Sequence, residues 1–472
     1  TGVQTCALPI YQIEVLGRGG NDIYVVPNML FRDPSAWYHI VVAIDTTQAT
    51  SSNRVKLYVN GTVVTSFNSA TYPTQNYNLI GWNYTGYRHT IGIDPTAVNA
   101  YQFDGYLTEM YFVDGQQLTP SSFGATDPET GIWQPVAYTG TYGTNGFYLP
   151  FTNTTSTFTL GDDAGNGNNW TVNNISLTTG SNYDSSNDSP TLTSSTVANY
   201  CTFNPLHKAS NMTASTDGNL KITGNSGGYF YGGLTGSMFV TSGKYYWEVT
   251  AISLYTTNGY FAGGIATENY YPQNQASADY GPGGPSSSGV SGVGTGALFY
   301  PGDGSVQLKV NGSTSTLSST FAAGDVMNFA LDADTGRFWI GKNGAWFTNG
   351  GVGDPAAGTN YLGPITGATS YAPWFSCYVT TSDTWAANFG QQPFKYTIPT
   401  GFKTICSTNL STPTIGATAT TQANKYFDTT LYDGNMTARS ITNSGSMQPD
   451  LIWFKCRSYA YDGSLWNSIR GV

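Results

Sequence analysis

The sequence predicts an all-β fold, organised as tandem antiparallel β-sandwiches. Its 472 residues include 57 glycines, 34 tyrosines and 11 tryptophans, against only 18 lysines and arginines together. Such a composition disfavours helices and favours strands connected by tight turns. Short stretches of alternating apolar and polar residues end at Asn-Gly pairs, a pattern typical of β-hairpins. A chain of this length is expected to contain two or three domains, each with its own core.

The balance of charges excludes some classes of partner. Only 10% of the residues are charged and the formal net charge is -10. The chain therefore lacks the clustered lysines and arginines that nucleic-acid binding requires. No apolar run approaches the roughly 20 residues that span a bilayer. We expect a soluble protein that neither binds nucleic acid nor inserts into a membrane.

The first strand patterns begin at Trp37. Apolar residues alternate through Trp37–Asp45 and again through Arg54–Val59, which ends at the turn pair Asn60-Gly61. A further strand is predicted over Phe103–Gly115. The residues on the predicted apolar faces are Tyr38, Ile40, Val42 and Ile44 in the first strand and Val55, Leu57 and Val59 in the second.

These strands, followed by Asp114–Gly124, Thr130–Pro135 and Asn145–Leu149, resemble the laminin-G-like, or concanavalin A-like, jelly-roll family. The string from Asp114 onward is similar to the form of this module found in phage structural proteins. The resemblance covers residues 11–150 and implies a β-sandwich whose N-terminal part is cut off.

The two ends of the chain indicate a gene fragment. Residues 1–10 resemble the translation of a sequencing-library adapter and are left out of the fold prediction, with an edge strand as the alternative. The chain starts without a methionine and stops at Val472. Residues 151–199 are rich in Ser, Thr, Asn and Gly, which predicts a linker or surface extension. Their Asp162–Thr171 string resembles the connector after the laminin-G-like module in phage proteins.

Residues 200–410 carry the most specific resemblance. Aromatic residues alternate in Gly243–Val249, where Tyr245, Trp247 and Val249 share a predicted core face. Further motifs follow in order: Gly324–Val326, Leu331–Gly336, Asn343-Gly344, Tyr371–Trp374, Asn388–Gly390 and Pro393-Phe394. Together they resemble the SPRY family of β-sandwiches, from which the Gly- and Pro-rich insertion Tyr280–Gly289 departs. Residues 411–472 look like the truncated start of a further phage tail-type β domain, too short to bury a full core.

The sequence carries no pattern for catalysis. Glycoside hydrolases on concanavalin A-like folds need two carboxylates about 5–9.5 Å apart, and the Glu-x-Asp-x-x-Glu arrangement that would place acids on one strand face is absent. Glu109 and Glu248 are predicted at solvent-facing strand positions. The G-x-S-x-G match at Gly224–Gly228 lacks the strand and helix of a nucleophile elbow, since it runs into Tyr229. We therefore predict that the chain is not an enzyme.

No cofactor is predicted. The histidines His39, His89 and His207 have no metal-ligand spacing, and the five cysteines, Cys6, Cys201, Cys377, Cys406 and Cys456, have no C-x-x-C spacing. Buried free thiols are expected. Calcium is the one ion for which loop acids exist, with Asp94 or Asp104 as ligands in the laminin-G-like module. Asp332–Gly336 resembles part of a calcium loop, but a hairpin turn is the favoured interpretation.

Two groups of residues are candidates for ligand binding. Aromatic rings beside amide, acidic or guanidinium groups suit sugars, whose apolar faces stack while their hydroxyls form hydrogen bonds. For both groups, ordinary packing is the alternative. The candidates are Trp82, Tyr84, Tyr87 and Arg88 in the first module and Glu268, Asn269, Tyr270 and Tyr271 in the second.

The resemblances imply a bacteriophage tail or tail-fibre protein, located in the virion, whose modules bind a host-surface glycan or protein receptor. Other virion proteins are then partners. Because tail fibres are commonly trimeric, the resemblance also implies a homotrimer. Two other functions stay open at this point: a glycan depolymerase on the concanavalin A-like fold, and a structural spacer. A eukaryotic peptide-binding SPRY protein is disfavoured by the two phage-like strings.

Overall fold

The computed structural model of the chain is all-β, as predicted. Its regular elements are antiparallel strands and the short 3₁₀ turns Ser51–Asn53, Pro120–Ser122, Ser407–Asn409 and Ala423–Lys425. No helix in the described part of the chain is long and apolar enough to cross a membrane. The described residues are 3–5, 13–16, 23–33, 36–79, 86, 88–93, 103, 105–128, 131–151, 159–160, 164–178, 183–190, 197–209, 212–224, 233–254, 261–270, 296–301, 305–310, 313–347, 352–365, 367–377, 383–412, 418, 420–456, 459 and 462–468.

Contacts divide the chain into two compact units. The first comprises Thr1–Phe123 and Pro135–Ser411, and the second Gly124–Gln134 and Thr412–Val472. The strands up to residue 171 are β1 (Val3–Thr5), β2 (Ile13–Leu16), β3 (Tyr24–Pro27), β4 (Ile40–Ile44), β5 (Val55–Val59), β6 (Thr62–Val63), β7 (Phe67–Thr71), β8 (Met110–Phe112), β9 (Gly124–Thr126), β10 (Trp133–Pro135), β11 (Phe147–Leu149), β12 (Thr159–Leu160) and β13 (Trp170–Thr171).

Two small sheets pack face to face at the start of the first unit. One has the order β1-β2-β3-β7 and the other the order β4-β5-β6. Between them lies a core of Val15, Ile23, Val25, Val55 and Leu57. The alternation predicted for β5 is confirmed, because its side chains alternate between buried and half-buried positions. In β4 the predicted face, Ile40, Val42 and Ile44, packs half-buried against this core, and the one fully buried residue is Ala43. The β5–β6 turn uses positive φ angles at the predicted Asn-Gly pair, 47° and 78°.

Strand β8 pairs with β11 in a two-stranded sheet whose two faces differ. Phe147 and Leu149 are buried on one face. There the ring centroid of Phe147 lies 5.4 Å from that of Phe112 and 5.1 Å from that of Trp170. Tyr111 and Tyr148 are direct cross-strand partners on the opposite face. The strand predicted over Phe103–Gly115 is therefore shorter than expected. It forms only at residues 110–112 because Glu109 has a φ of 53°, outside the β region.

Residues from 203 to 388 form a large β-sandwich. Its two seven-stranded antiparallel sheets have the orders β14-β17-β26-β19-β20-β21-β22 and β15-β16-β27-β18-β23-β24-β25. The strands are β14 (Phe203–Lys208), β15 (Met212–Thr216), β16 (Lys221–Gly224), β17 (Leu234–Gly236), β18 (Lys244–Ser253), β19 (Phe261–Thr267), β20 (Gly296–Pro301), β21 (Ser305–Val310), β22 (Ser313–Ser318), β23 (Val326–Asp332), β24 (Arg337–Lys342), β25 (Ala345–Trp346), β26 (Tyr371–Cys377) and β27 (Thr384–Asn388).

The predicted aromatic stripe of β18 lies in the core of this sandwich. Tyr245, Trp247 and Val249 are all buried there. Trp247 stacks on Phe329 with their ring centroids 5.3 Å apart. The ring centroid of Phe261, in the facing sheet, lies 4.1 Å from that of Trp385. The β23–β24 hairpin closes through residues 333–336, as predicted. Asn343 and Gly344 turn the chain between β24 and β25 with φ angles of 50° and 81°.

The outer face of the second sheet is also buried, which the sequence did not indicate. Tyr246, Ala330 and Trp339 pack against Phe394, Ile398 and Phe402 from the segment after β27. We call residues 393–402 the covering segment. The prediction that Glu248 faces solvent is wrong, because Glu248 is only 3% exposed beneath the covering segment. Its carboxylate accepts hydrogen bonds from the Tyr246 hydroxyl at 2.7 Å and from the backbone N–H groups of Lys395 and Tyr396 at 2.9 Å each.

Several residues of the predicted linker are bound to the large sandwich. Asn187 donates its backbone N–H to the carbonyl of Gln391, and Gln392 donates its side-chain amide to the carbonyl of Tyr183. Asp188 is buried and accepts the backbone N–H of Tyr200 at 2.8 Å. Burial raises the pKa of Asp188 to about 6, although hydrogen bonds from Tyr200, Trp37 and Ser189 oppose the shift. These contacts make this part of 151–199 a packed extension of the sandwich.

The second unit has little core. Its regular elements include the hairpin of β28 (Leu451–Phe454) and β29 (Ser464–Asn467). Within residues 124–134 and the described part of 412–472, no hydrophobic side chain is buried. The domain boundaries predicted from the sequence stay predictions.

Candidate binding surface

The first group of predicted site residues falls largely outside the described part of the chain. Trp82, Tyr84 and Tyr87 lie outside it, and their role in binding stays a prediction. Arg88 is described and its side chain is exposed. Arg88 is therefore accessible to a ligand.

In the second group, Glu268 holds a loop in place. It lies in the turn after β19, and one carboxylate oxygen accepts the backbone N–H of Thr369 at 2.9 Å while the other accepts that of Ser370 at 3.0 Å. Loss of hydration is the largest single effect and opposes ionisation, but the hydrogen bonds together prevail and lower the pKa of Glu268 to about 2. Asn269 is exposed in the same turn. This carboxylate is thus already saturated by its own chain.

The ring of Tyr270 is part of the interior. It packs with Ala262, Ala266 and Trp374 in a buried cluster and is 3% exposed. The alternative of ordinary loop packing is therefore favoured for Tyr270, whose ring cannot stack on a ligand in this position. Tyr271 lies outside the described residues. The described members of the second group, Glu268, Asn269 and Tyr270, are not brought together as a ligand surface.

A different surface emerges on the outward face of the β8–β11 sheet. Four half-buried tyrosines meet there around Phe123, and we call them the tyrosine cluster: Tyr111, Tyr138, Tyr142 and Tyr148. Tyr111 stacks on Tyr148 with ring centroids 4.5 Å apart and an interplanar angle of 7°. Tyr138 lies edge-on to Tyr142 at 5.1 Å. Half-exposed rings in contact form a broad aromatic surface with polar edges.

Glu109 lies at the edge of this cluster. Its Oε2 atom accepts hydrogen bonds from the hydroxyls of both Tyr111 and Tyr148, each at 2.7 Å. Burial, and then the bond to Glu109, raise the pKa of both tyrosines far above the ordinary value. The other oxygen of Glu109, Oε1, accepts no hydrogen bond from any residue that the structure describes. The expected solvent-facing strand position is wrong, because Glu109 precedes the strand with positive φ and is half-buried.

The loop that carries Tyr138 and Tyr142 is held by side-chain amides. The side-chain amide of Gln116 donates a hydrogen bond to the backbone carbonyl of Thr141 at 2.9 Å. The backbone N–H of Asp114 donates to the backbone carbonyl of Tyr142 at 2.8 Å. The side-chain amides of Asn166 and Asn168 both donate to the carbonyl of Gly146 at 2.9 Å. These bonds fix the backbone of residues 141–146 before any ligand arrives.

The sequence analysis missed the tyrosine cluster. Tyr111 lies within the predicted Phe103–Gly115 strand, and Tyr148 within the Asn145–Leu149 motif. The available signal was the shared alternation of the two strands, in which Tyr111 lies between Met110 and Phe112, and Tyr148 lies between Phe147 and Leu149. That alternation shows a polar aromatic face but gives no register, so it cannot show that the two rings are partners.

Other acids and histidines that the sequence singled out have structural roles. Asp332 forms an ion pair with Lys244 at 3.6 Å, and Asp334 accepts the backbone N–H of Gly243, so both support the predicted hairpin turn. Asp94 and Asp104 lie outside the described residues. Burial lowers the pKa of His39 and of His207. Cys201 and Cys406 are buried free thiols as expected, whereas Cys456 is exposed.

Solved structures similar to the chain include SPRY domains. The SPRY domain of human HERC1 is 17% identical over 41% of this chain and 99% of that chain, with a TM-score of 0.28. The PSpry domain of TRIM65 is 13% identical over 40% of this chain and 89% of that chain, with a TM-score of 0.29. A human SPRY domain is 16% identical over 38% of this chain and 94% of that chain, with a TM-score of 0.24.

Sequence comparisons add one family. The model of a domain of unknown function, DUF7483, matches residues 422–472. This match covers most of the second unit's C-terminal segment and none of the residues of the two sandwich modules. No curated protein matches the chain.

Proposed function

We propose that this chain is a non-enzymatic binding protein of a bacteriophage virion, a tail or tail-fibre protein whose sandwich modules bind host-surface glycans or proteins. The setting is supported by the phage-like strings Asp114–Gly124 and Asp162–Thr171 and by the order of two sandwich modules in one chain. β-Sandwiches suit this task because a rigid pair of sheets can carry variable loops without losing its core.

The observation that carries the proposal is the tyrosine cluster with Glu109. It joins apolar ring surface to a carboxylate oxygen, Oε1, that is not engaged by the described residues. A surface of this kind can both stack on a ligand and accept a hydrogen bond from it. By contrast, the carboxylates of Glu248 and Glu268 are saturated by their own chain. This difference supports binding as the role of the first module.

The absence of enzymatic activity is proposed on the same ground. Hydrolysis of a glycosidic bond requires an acid and a base on either side of the bond. Glu109 is the acid of the tyrosine cluster, and Oε2 is occupied by two tyrosine hydroxyls. A single carboxylate can hold a sugar but supplies only half of that machinery.

The test is an array of bacterial surface glycans probed with the purified full chain, with the heat-unfolded chain as control. We expect binding to a limited set of glycans. In parallel, the chain is incubated with a bound polysaccharide and new reducing ends are measured over time. Release of reducing ends would identify a depolymerase. Silence across the array and against intact host cells would leave only a structural spacer. Either result would reject the proposed function.

A further inference from the structure

We infer that the tyrosine cluster and Glu109 form a binding site for a neutral pyranose unit of a surface glycan. The inference rests on the proposed function, because it names the ligand class and the place where one module would bind it. Its three supports are the aromatic surface, the carboxylate and the prior fixation of the loop.

The aromatic surface suits the face of a pyranose ring. Axial C–H groups make one side of many hexopyranoses apolar, and such a side packs well on an aromatic ring. Tyr138 and Tyr142 are half-buried and lie edge-on to one another with ring centroids 5.1 Å apart. The ring of Tyr111 is nearly parallel to that of Tyr142, with centroids 6.4 Å apart. Each ring packs against another, so the platform does not depend on a single side chain.

The carboxylate determines which sugars fit. Oε1 of the Glu109 carboxylate can accept a hydrogen bond, and a sugar hydroxyl is a suitable donor. The same negative charge repels uronic acids and other anionic sugars, and the net charge of -10 on the chain acts in the same direction. The site is therefore expected to prefer neutral hexopyranoses to their acidic counterparts.

The fixed loop lowers the cost of binding. Side-chain amides of Gln116, Asn166 and Asn168 hold the backbone on both sides of Tyr142. A loop that is already ordered loses less conformational freedom when a ligand binds, so more of the contact energy appears as affinity.

The inference is tested with free monosaccharides and the full chain. Saturation-transfer NMR is recorded with the methyl glycosides of glucose, galactose and mannose, and with the methyl glycosides of glucuronic and galacturonic acid. The variants are Tyr142→Ala, Tyr138→Ala and Glu109→Gln. The matched control is Tyr24→Ala, an exposed tyrosine of β3 in the same module, outside the cluster. Circular dichroism of each variant monitors folding.

We expect at least one neutral glycoside to bind, and its acidic counterpart to bind about tenfold more weakly or not at all. Each tyrosine variant should weaken binding by about tenfold, as loss of one stacked ring implies. Glu109→Gln should weaken binding of the neutral glycoside and reduce the preference for it over the acidic one. Tyr24→Ala should leave both binding and preference unchanged. If the tyrosine variants unfold, Glu109→Gln carries the test, because its side chain is nearly isosteric.

Two results would overturn the inference, and they differ in what they mean for the proposed function. If the chain binds glycans on the array but the cluster variants bind like the wild type, the site lies elsewhere and the proposed function stands. If acidic sugars bind more tightly than neutral ones, the ligand class is wrong. If neither array nor glycosides show binding, both the site and the proposed function fail.

Discussion

The large sandwich and the C-terminal hairpin have the same kind of strands but opposite burial. Both contain aromatic residues in paired antiparallel strands. In the sandwich Trp247 is 1% exposed, whereas Trp453 of β28 is 74% exposed and Trp466 of β29 is 44% exposed. The residue types of a strand therefore do not decide its burial. A second layer over the strand does.

In the large sandwich, both faces of β18 are covered by another layer of the protein. The inner face of β18 packs on the facing sheet, and its outer face packs on the covering segment. The hairpin of β28 and β29 has neither layer among the described residues of its unit. Two strands alone bury too little apolar surface for independent stability. The comparison predicts that equivalent changes in the two regions will have very different effects.

The largest difference is expected for tryptophan. Trp247→Ala removes a fully buried ring and should lower the free energy of unfolding of the sandwich by about 3–5 kcal/mol. Trp453→Ala should change it by less than about 0.5 kcal/mol, because its ring is already in water. Urea denaturation followed by circular dichroism measures both. Equal losses would show that the hairpin is covered in solution and would break the comparison.

A smaller difference is expected for carboxylates. Glu248→Ala leaves the Tyr246 hydroxyl and two backbone N–H groups without their acceptor beneath the covering segment. We expect a loss of about 2–3 kcal/mol. The control is Asp428→Ala in the second unit, where the exposed carboxylate accepts the backbone N–H of Ser444. Its loss should cost only a few tenths of a kcal/mol. A mild effect at Glu248 would mean that the covering segment is held mainly by its apolar contacts.

The two regions should also respond differently to pH. Burial raises the pKa of Asp188 from 3.8 to about 6. The folded protein then binds this proton more tightly than the unfolded chain, so the contribution of Asp188 is most favourable below pH 3.8 and is lost as the pH rises through about 6. For Asp428 the bond from Ser444 lowers the pKa, so its small contribution is present above 3.8 and is lost as the pH falls.

Asp188→Asn tests this difference. The wild-type sandwich should lose roughly 1–2 kcal/mol of stability between pH 4 and pH 7 through this group, and the variant should not. Thermal unfolding across that pH range gives the measurement, with Asp428→Asn as the control that keeps the wild-type slope. An unchanged slope in Asp188→Asn would show that Asp188 is not buried at its junction with Tyr200.

The smallest effect concerns turns. Gly344 has a φ of 81°, and an added Cβ would lie 2.7 Å from the ring of Tyr396. Gly344→Ala should destabilise the sandwich by about 1 kcal/mol or slightly more. Gly434 of the second unit has no neighbour within 4 Å of an added Cβ, and Gly434→Ala should be neutral or nearly so. The melting temperatures of the two variants distinguish these outcomes.

Local sequence was sufficient for the fold class and for several elements. The alternation in Trp37–Asp45 and Gly243–Val249 predicted β4 and the core stripe of β18, and the Asn-Gly pairs predicted turns with positive φ. These features depend on neighbours along the chain, because the period of a strand and the tolerance of a turn are local properties. The predicted site residues were less successful, since Tyr270 is in the interior and Glu268 holds a loop.

What only the tertiary structure decided is what covers each strand and which strands are neighbours. Glu248 faces away from the sandwich core, as its alternation requires, yet it is buried because a segment about 150 residues later packs over it. Tyr111 and Tyr148 become one surface because β8 and β11 pair in a particular register. The sequence by itself determined strands, turns and the inward stripe, which follow from local geometry. Burial on the second face and the assembly of the tyrosine cluster follow from contacts between residues far apart in the chain, which no local pattern encodes.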